Sequence, residues 1–334
     1  MLDFSDVAGQ DSVKEHLRTA LRSGRISHAY MLIGEKGLGK QTLADAFAKM
    51  LFCEKDSLHP CGSCHACRQV EALTHPDLIH LRHEKPNSIG VDDVREQLAA
   101  EVAIRPFSGR KRVFVVPEAE KMTVQAQNAL LKTIEEPPEY AVIFLLTKSE
   151  EALLETIRSR CVKLKLRPVA ERELAAALLR RGDISRERVL LAARFARGIP
   201  GLAEQMAVSE EFRKRCEETL ELLLHLPQAN AVFVNEAAEK LQALYPELRE
   251  LLEFLRMYYR DLLCAKQDHS GENLIFAGYE TRLLRAAKEL SFPAAGRILD
   301  EINRMEDRLR ANVNPELALE LLLQEIRQGG RKGK

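Results

Sequence analysis

The stretch GEKGLGKQT, residues 34–42, limits what this chain can fold into more than any other segment. Before it stands AYMLIG (29–34), which reads as a buried strand, and after it LADAFAKMLF (43–52) continues as a helix. A glycine turn between strand and helix presents backbone N–H groups and the positive end of the helix to a single point, and a lysine adds a full charge there. Gly34, Gly37, Gly39 and Lys40 supply those parts, so the stretch predicts a phosphate cradle. The pattern G-x-x-x-x-G-K-[ST] also wants a hydroxyl directly after the lysine, to ligate magnesium. Gln41 holds that place, and the hydroxyl of Thr42 comes one residue late.

Around the loop, DLIHL (77–81), RVFVV (112–116), AVIFLLT (141–147) and CVKLKL (161–166) are further strand candidates, with helices near 91–103 and 123–136 between them. Strands joined by helix-length crossovers predict a parallel sheet covered by helices on both faces. Residues 1–166 are therefore expected to form an α/β P-loop domain. After Pro168 the strand signals stop, and 167–207 reads as short helices broken at Gly182 and at GIPG (198–201). From 208 to 334 long amphipathic helices dominate. Leu248, Leu251, Leu252, Leu255, Tyr259, Leu262 and Leu263 follow the helical period and predict a bundle core. The closing RQGGRKGK is expected to be a frayed, solvated tail.

At 334 residues the chain exceeds one ordinary compact core and is expected to hold two or three domains. Lysine plus arginine and aspartate plus glutamate each total 50, so bulk charge points to neither a nucleic-acid coat nor an acidic partner. Trp is absent and aromatics are 5%, which argues against base stacking on a single strand. No apolar run reaches the roughly 20 residues that cross a bilayer, and MLDFSDVAGQ lacks a basic n-region and an apolar h-region, so a cytoplasmic protein without a membrane partner is expected.

Seven cysteines in a reducing compartment suggest metal rather than disulfides where they cluster. CEKDSLHPCGSCHAC brings Cys53, Cys61, Cys64 and Cys67 together, and two C-x-x-C steps plus one earlier thiolate suit a closed tetrahedral site for structural Zn²⁺. His59 and His65 are spare ligands, and reduced thiols without metal are the alternative. Cys161, Cys216 and Cys264 stand alone and read as small buried hydrophobes.

Hydrolysis of a nucleotide at the loop would need a second strand ending in an acidic pair, one carboxylate for the magnesium shell and one for water. The corresponding strand reads VFVVPEAE, with Pro117 in the first place and Glu118 in the second. Gln41 and Pro117 are thus two losses that fall on the same ion, which argues for lost catalysis. Lys40 survives, so binding of ATP and magnesium without turnover stays open.

LLETIRSRCVKLKL (153–166) ends a helical segment with Arg158 and Arg160. Taken bare, these arginines complement a helix dipole. Together with SHAYMLIGEKGLGK, the four-cysteine insert, THPDLIHL and AQNALLKTIEEPPEYAVIFLLT, the run TIRSRC completes a set of motifs across residues 10–165. In that order they resemble the clamp-loader branch of the AAA+ family.

The resemblance implies an AAA+ module (1–166), a helical lid (167–207) and a helical collar (208–334) that holds a five-subunit ring. It implies that Ser159, Arg160 and Cys161 form a motif offered in trans, whose arginine reaches the ATP site of a neighbouring motor subunit. Arginine fingers are typically worth ~10³ to 10⁵ in rate. Implied partners are gamma/tau-type ATPases and a delta subunit and, through the complex, a sliding clamp and primed DNA. The implied role is a non-catalytic stator within a replicative DNA polymerase holoenzyme. Motor subunits of the branch carry a lid arginine in a G-S-L-R-like stretch, where this chain has Gly201. Thr147 stands where the branch places a phosphate sensor, or else caps its strand. The alternatives are an autonomous ATP-hydrolysing motor and a zinc-dependent DNA-binding protein.

Overall fold

A computed structural model describes residues 2–55, 58–83, 85, 87–107, 111–180, 182, 184–267, 274–276, 278–310 and 313–331. By contacts the chain divides into two compact units, Met1–Arg180 with Ala196–Glu204, and Arg181–Phe195 with Gln205–Lys334.

The first unit is built on β1 (Ala29–Ile33), β2 (Leu78–His80), β3 (Arg112–Val116), β4 (Ala141–Thr147) and β5 (Val162–Lys165). They form a five-stranded sheet in the order β2-β3-β4-β1-β5. Every pairing is parallel, with Ala29 opposite Ile143 and Tyr30 opposite Val162. Alternate side chains leave a strand on opposite faces. Tyr30, Leu32, Val113, Val115, Phe144 and Leu146 accordingly pack on one side, against α1 (Asp11–Ser23), α2 (Lys40–Phe52) and α3 (His65–Glu71). Met31, Phe114, Val116, Ile143 and Leu145 pack on the other side, against α6 (Val124–Glu135) and its neighbours. Strands buried on both faces explain why the sequence shows continuous apolar runs rather than alternation.

The helix expected near 91–103 is present in three pieces, α4 (Val91–Val94), a π-helical stretch (Arg95–Ala99) and α5 (Ala100–Val102). Beyond β4 come α7 (Glu155–Arg158) and α8 (Glu171–Leu179). The α/β P-loop fold expected for this region is the fold observed.

Among its described residues the second unit has helices and connecting turns but no strand. It contains α9 (Arg186–Phe195), α11 (Glu210–His225), α12 (Ala231–Leu244), α13 (Leu248–Gln267), α14 (Glu280–Glu289), α15 (Phe292–Arg310) and α16 (Pro315–Arg331). α10 (Pro200–Val208) begins in the first unit. Along α13 the expected stripe is buried from Leu248 to Leu262, while Leu263 is half-buried. At about 1.5–3 kcal/mol for each large apolar side chain removed from water, that stripe is enough to fix which face of α13 turns inward.

Two expectations need correction. The C-terminal run is not frayed over its first residues, because α16 continues to Arg331. Ile326 is buried, and a Cβ on Gly329 would stand 2.9 Å from Ile298 Cδ1, so the absence of a side chain lets the last turn pack closely. Residues 332–334 of that run lie outside the described residues. Of the isolated cysteines only Cys216 is buried; Cys161 and Cys264 are half-buried. Among the described residues no helix is long and apolar enough to cross a membrane.

Candidate phosphate cleft, cysteine cluster and surface arginine

The glycine loop lies at the C-terminal end of β1, where Gly34 N donates to Thr147 O at 3.0 Å and so ties the loop to the end of β4. Gly37 and Gly39 adopt φ of 89° and 90°, a region that side chains disfavour. A Cβ on Gly37 would also meet Ile199 Cγ2 at 2.8 Å. Gly39 caps α2, and Lys40 is its first residue, so the helix N-terminus opens onto a cleft of about 470 Å³. Lys40, Gln41, Thr42, Pro117, Glu118 and Glu120 are among the residues that line it. The Lys40 ammonium donates to the carbonyl oxygen of Gly34 and, at 2.9 Å, to that of Glu35. Burial lowers its pKa, an effect that the nearby Glu120 and Glu35 oppose.

The position that the sequence leaves without a carboxylate lies on the cleft, which Asp6, Glu118, Glu120 and Glu204 also line. Pro117 lines the cleft with no donor oxygen on its side chain. Glu118 follows it in the left-handed region, at φ 47°. Its carboxylate accepts from Lys121 Nζ at 2.7 Å and lies 3.9 Å from Lys36 Nζ and 3.8 Å from His83 Nε2. The hydrogen bond from Lys121, followed by the charges of Lys121, Lys36 and His83, holds the Glu118 carboxyl below the usual range, against the opposing pull of burial. A carboxylate engaged in this way is poorly placed to take a proton from water. Lys36, His83 and Lys121 were not legible as partners of Glu118. Lys121 sits at i+3, a weak signal, while the other two come from distant segments.

Gly201 approaches the loop from the start of α10. Its N–H donates to Gly37 O at 2.9 Å, and an added Cβ would lie 3.1 Å from Gly37 Cα. A side chain at this position would press on the loop backbone, which would have to give by a few tenths of an ångström to take it. Thr147 is fully buried, and its hydroxyl donates to Ser149 O at 2.7 Å while accepting from Ser149 N at 3.3 Å. These bonds spend it on the turn that follows β4. Of the expected phosphate-binding residues, the structure gathers Gly37, Gly39, Lys40 and Thr42 at the cleft, with Gly34 held through the Lys40 ammonium.

At the other end of α2, Cys53 is the C-cap residue. Its Sγ and those of Cys61, Cys64 and Cys67 all lie within 4.8 Å of one another. Zn–S bonds of about 2.3 Å place tetrahedral sulfurs roughly 3.8 Å apart, so this set fits the ion with little adjustment. Backbone N–H groups converge on the sulfurs: Cys61 N on Cys53, Cys64 N on Cys61 and Cys67 N on Cys64, at 3.3–3.4 Å. Such donors stabilise thiolate, the form that binds metal. Of the protein groups alone, Ser63 hydrogen bonds draw Cys61 down to about 6, while burial pushes Cys67 up to about 12. A coordinated thiol is deprotonated outright, so a cation at the centre would override the second effect. Four thiolates around an ion would leave no open position, so a metal held there would supply folding energy rather than chemistry. Neither His59 nor His65 belongs to the set. The module is anchored beneath by the fully buried Lys49, whose ammonium meets Glu71 at 2.6 Å, and by His75 stacked on Phe52 at 4.2 Å between ring centroids.

Arg160 is on the surface just after α7, with its side chain 41% exposed. Ser159 is exposed beside it and donates to Thr156 O at 3.1 Å. The arginine is not among the residues that line the cleft, and its side chain is partly exposed.

Comparison with known proteins gives consistent matches along the chain. The model of the family described as "DNA polymerase III, delta subunit" matches residues 9–170, and that described as "DNA polymerase III, delta subunit, C terminal" matches 210–328. The chain is 30% identical to DNA polymerase III subunit delta' of Escherichia coli over 316 residues, covering 93% of this chain and 92% of that protein. It is 28% identical to subunit delta' of Bacillus subtilis over 326 residues, 96% and 97% of the two chains. Its similarity to the Escherichia coli tau subunit, 39% over 165 residues, covers 49% of this chain and 25% of the relative.

Proposed function

The chain belongs to the DNA polymerase III delta-prime family of clamp-loader subunits, and on that premise we propose that it is a stator: a subunit that turns over no ATP itself and lends Arg160 to a neighbour. The observation that carries this reading is the contrast between a cleft with proline at its ion-holding position, Pro117, and an arginine exposed beside Ser159. Gln41, the ion-paired Glu118 and Gly201, which brings no side chain to the loop it touches, support it from three further sides.

In this reading the first unit presents Arg160, and the helical region 208–334 holds the subunit in a ring with gamma/tau-type ATPases and a delta subunit. Water attacks the γ-phosphorus of ATP on the neighbour while the bond to the bridging oxygen breaks, giving ADP and phosphate. The guanidinium stabilises the charge that collects on the γ-phosphoryl oxygens. Through the assembled complex the subunit serves the loading of a sliding clamp on primed DNA, in the cytoplasm. Zinc, held by Cys53, Cys61, Cys64 and Cys67, stabilises the fold around α2 and α3 and takes no part in the reaction.

The test is the DNA-stimulated ATPase of a loader reconstituted from full-length subunits. Arg160→Ala should lower turnover at the receiving site by ~10³, the lower end of the range for such arginines. Unchanged turnover would refute the reading. Brisk ATP hydrolysis by the purified chain, abolished by Lys40→Ala, would replace it with an autonomous motor.

A further inference from the structure

Arg160 does not extend into solvent. Its guanidinium is folded back over the end of its own helix, with Nη1 donating to Thr156 O at 3.0 Å and contacting Ser159 Oγ at 3.4 Å. On the other side Nη2 stands 3.1 Å from a carboxylate oxygen of Glu135, the last residue of α6. Buried Gln127, two turns earlier on α6, ties the two helices together: its side chain accepts from Leu154 N at 2.8 Å and donates to Ala152 O at 3.2 Å, which fixes the start of α7 against α6. Two rigid helix ends therefore hold a carboxylate and a guanidinium face to face.

We infer that Glu135 is a positioning residue, a latch that holds the Arg160 guanidinium folded back in the separate subunit and competes for it with a phosphate on the neighbouring subunit. The inference rests on the trans-arginine reading above. A γ-phosphate can engage the guanidinium only as the Glu135 carboxylate gives up its share. The release costs the same whether the phosphate belongs to ground-state ATP or to the transition state. Such a uniform cost appears in KM and leaves kcat alone. With the Glu135 side chain 44% exposed and the partner 41%, the pair is of the weak, screened kind, worth a few-fold in an equilibrium. That strength suits a latch: it orders an otherwise mobile side chain, yet a doubly charged phosphate oxygen cluster displaces it.

The experiment measures ATPase rate against ATP concentration in the reconstituted loader, with all subunits full length. Glu135→Gln keeps the shape and removes the charge, and should lower the apparent KM roughly two- to fivefold with kcat unchanged. The difference should shrink as salt is raised, because screening already weakens the wild-type pair. Glu135→Asp retains the charge and should restore a KM near that of the wild type, whereas Glu135→Ala should move with the glutamine variant. In an Arg160→Ala background Glu135→Gln should change nothing. An unchanged or raised KM, or a fall in kcat, overturns the latch. If Arg160→Ala cripples the loader while Glu135→Gln is silent, the latch alone fails. If Arg160→Ala is silent too, the trans-arginine reading falls with it.

Discussion

The two ends of α2 carry two different binding devices, and only one of them is complete. At its start, the glycine loop, the helix N-terminus and Lys40 retain the geometry for an anion, while the places that would hold the accompanying cation are taken by Gln41 and Pro117. At its end, Cys53 joins three other thiols in a set with no missing member. The difference follows from what each device is made of. An anion cradle is mostly backbone, and backbone N–H groups survive side-chain substitution as long as glycine holds the turn. A four-thiolate site is all side chain, so one replacement removes a quarter of the ligands and opens the shell. Loss of function can therefore be partial at the first end and only total at the second.

The sharpest way to break this comparison is at the cysteines. Metal analysis of the purified chain should give one zinc per molecule. Cys67→Ser should abolish it and unfold the region between α2 and α3, since such sites contribute on the order of 10 kcal/mol to local folding. A stable variant whose melting curve overlays the wild type would remove the second device from the comparison.

Next in size is Gly37→Ala at the opposite end. The left-handed backbone and the 2.8 Å approach to Ile199 should together cost about 1–3 kcal/mol, read as a lowered urea midpoint. A silent substitution would mean that the loop owes nothing to glycine.

Magnesium offers a finer probe. Calorimetric titration of ATP into the isolated chain should show affinities with magnesium and with chelator that differ by less than about tenfold, within 1.4 kcal/mol. A larger gain with magnesium would reveal a cation ligand that the cleft does not present at Pro117.

The smallest expected effect belongs to Glu118. Its pKa is lowered by the Lys121 hydrogen bond and the charges around it, so its contribution to stability is fully present above the ordinary carboxylate value of 4.5 and is lost as pH falls through the lowered one. Glu118→Gln should cost less than about 1 kcal/mol at neutral pH, and the gap to wild type should close in acid. A gap that persists unchanged in acid would mean that Glu118 acts by packing rather than by charge.

Much of the fold could be read directly. The apolar runs ending at Ile33, Val116 and Thr147 became β1, β3 and β4, because a strand covered on both faces must be apolar throughout. The period along α13 placed Leu251, Leu255 and Leu262 inward, and of the expected stripe Leu263 alone is half-buried. The cysteine cluster was legible for the same reason: its spacing is local, and a turn of the chain brings the thiols together. Gly329 misled the reading, since glycine near a terminus signals fraying by propensity alone, and its close approach to Ile298 is a contact between helices.

From sequence alone came the order of strand and helix, the glycine cradle, the identity of the four thiols and the absence of a carboxylate at position 117. These are set by residue type and by spacings short enough for the backbone's own geometry to convert into position. Tertiary structure decided that Glu118 is held by Lys36, His83 and Lys121, that Gly201 packs tightly on Gly37, and that Arg160 rests against Glu135. Each of those joins segments far apart in the chain or depends on how a turn is packed, and charge pairing across such distances follows from the fold without leaving a local pattern in the sequence.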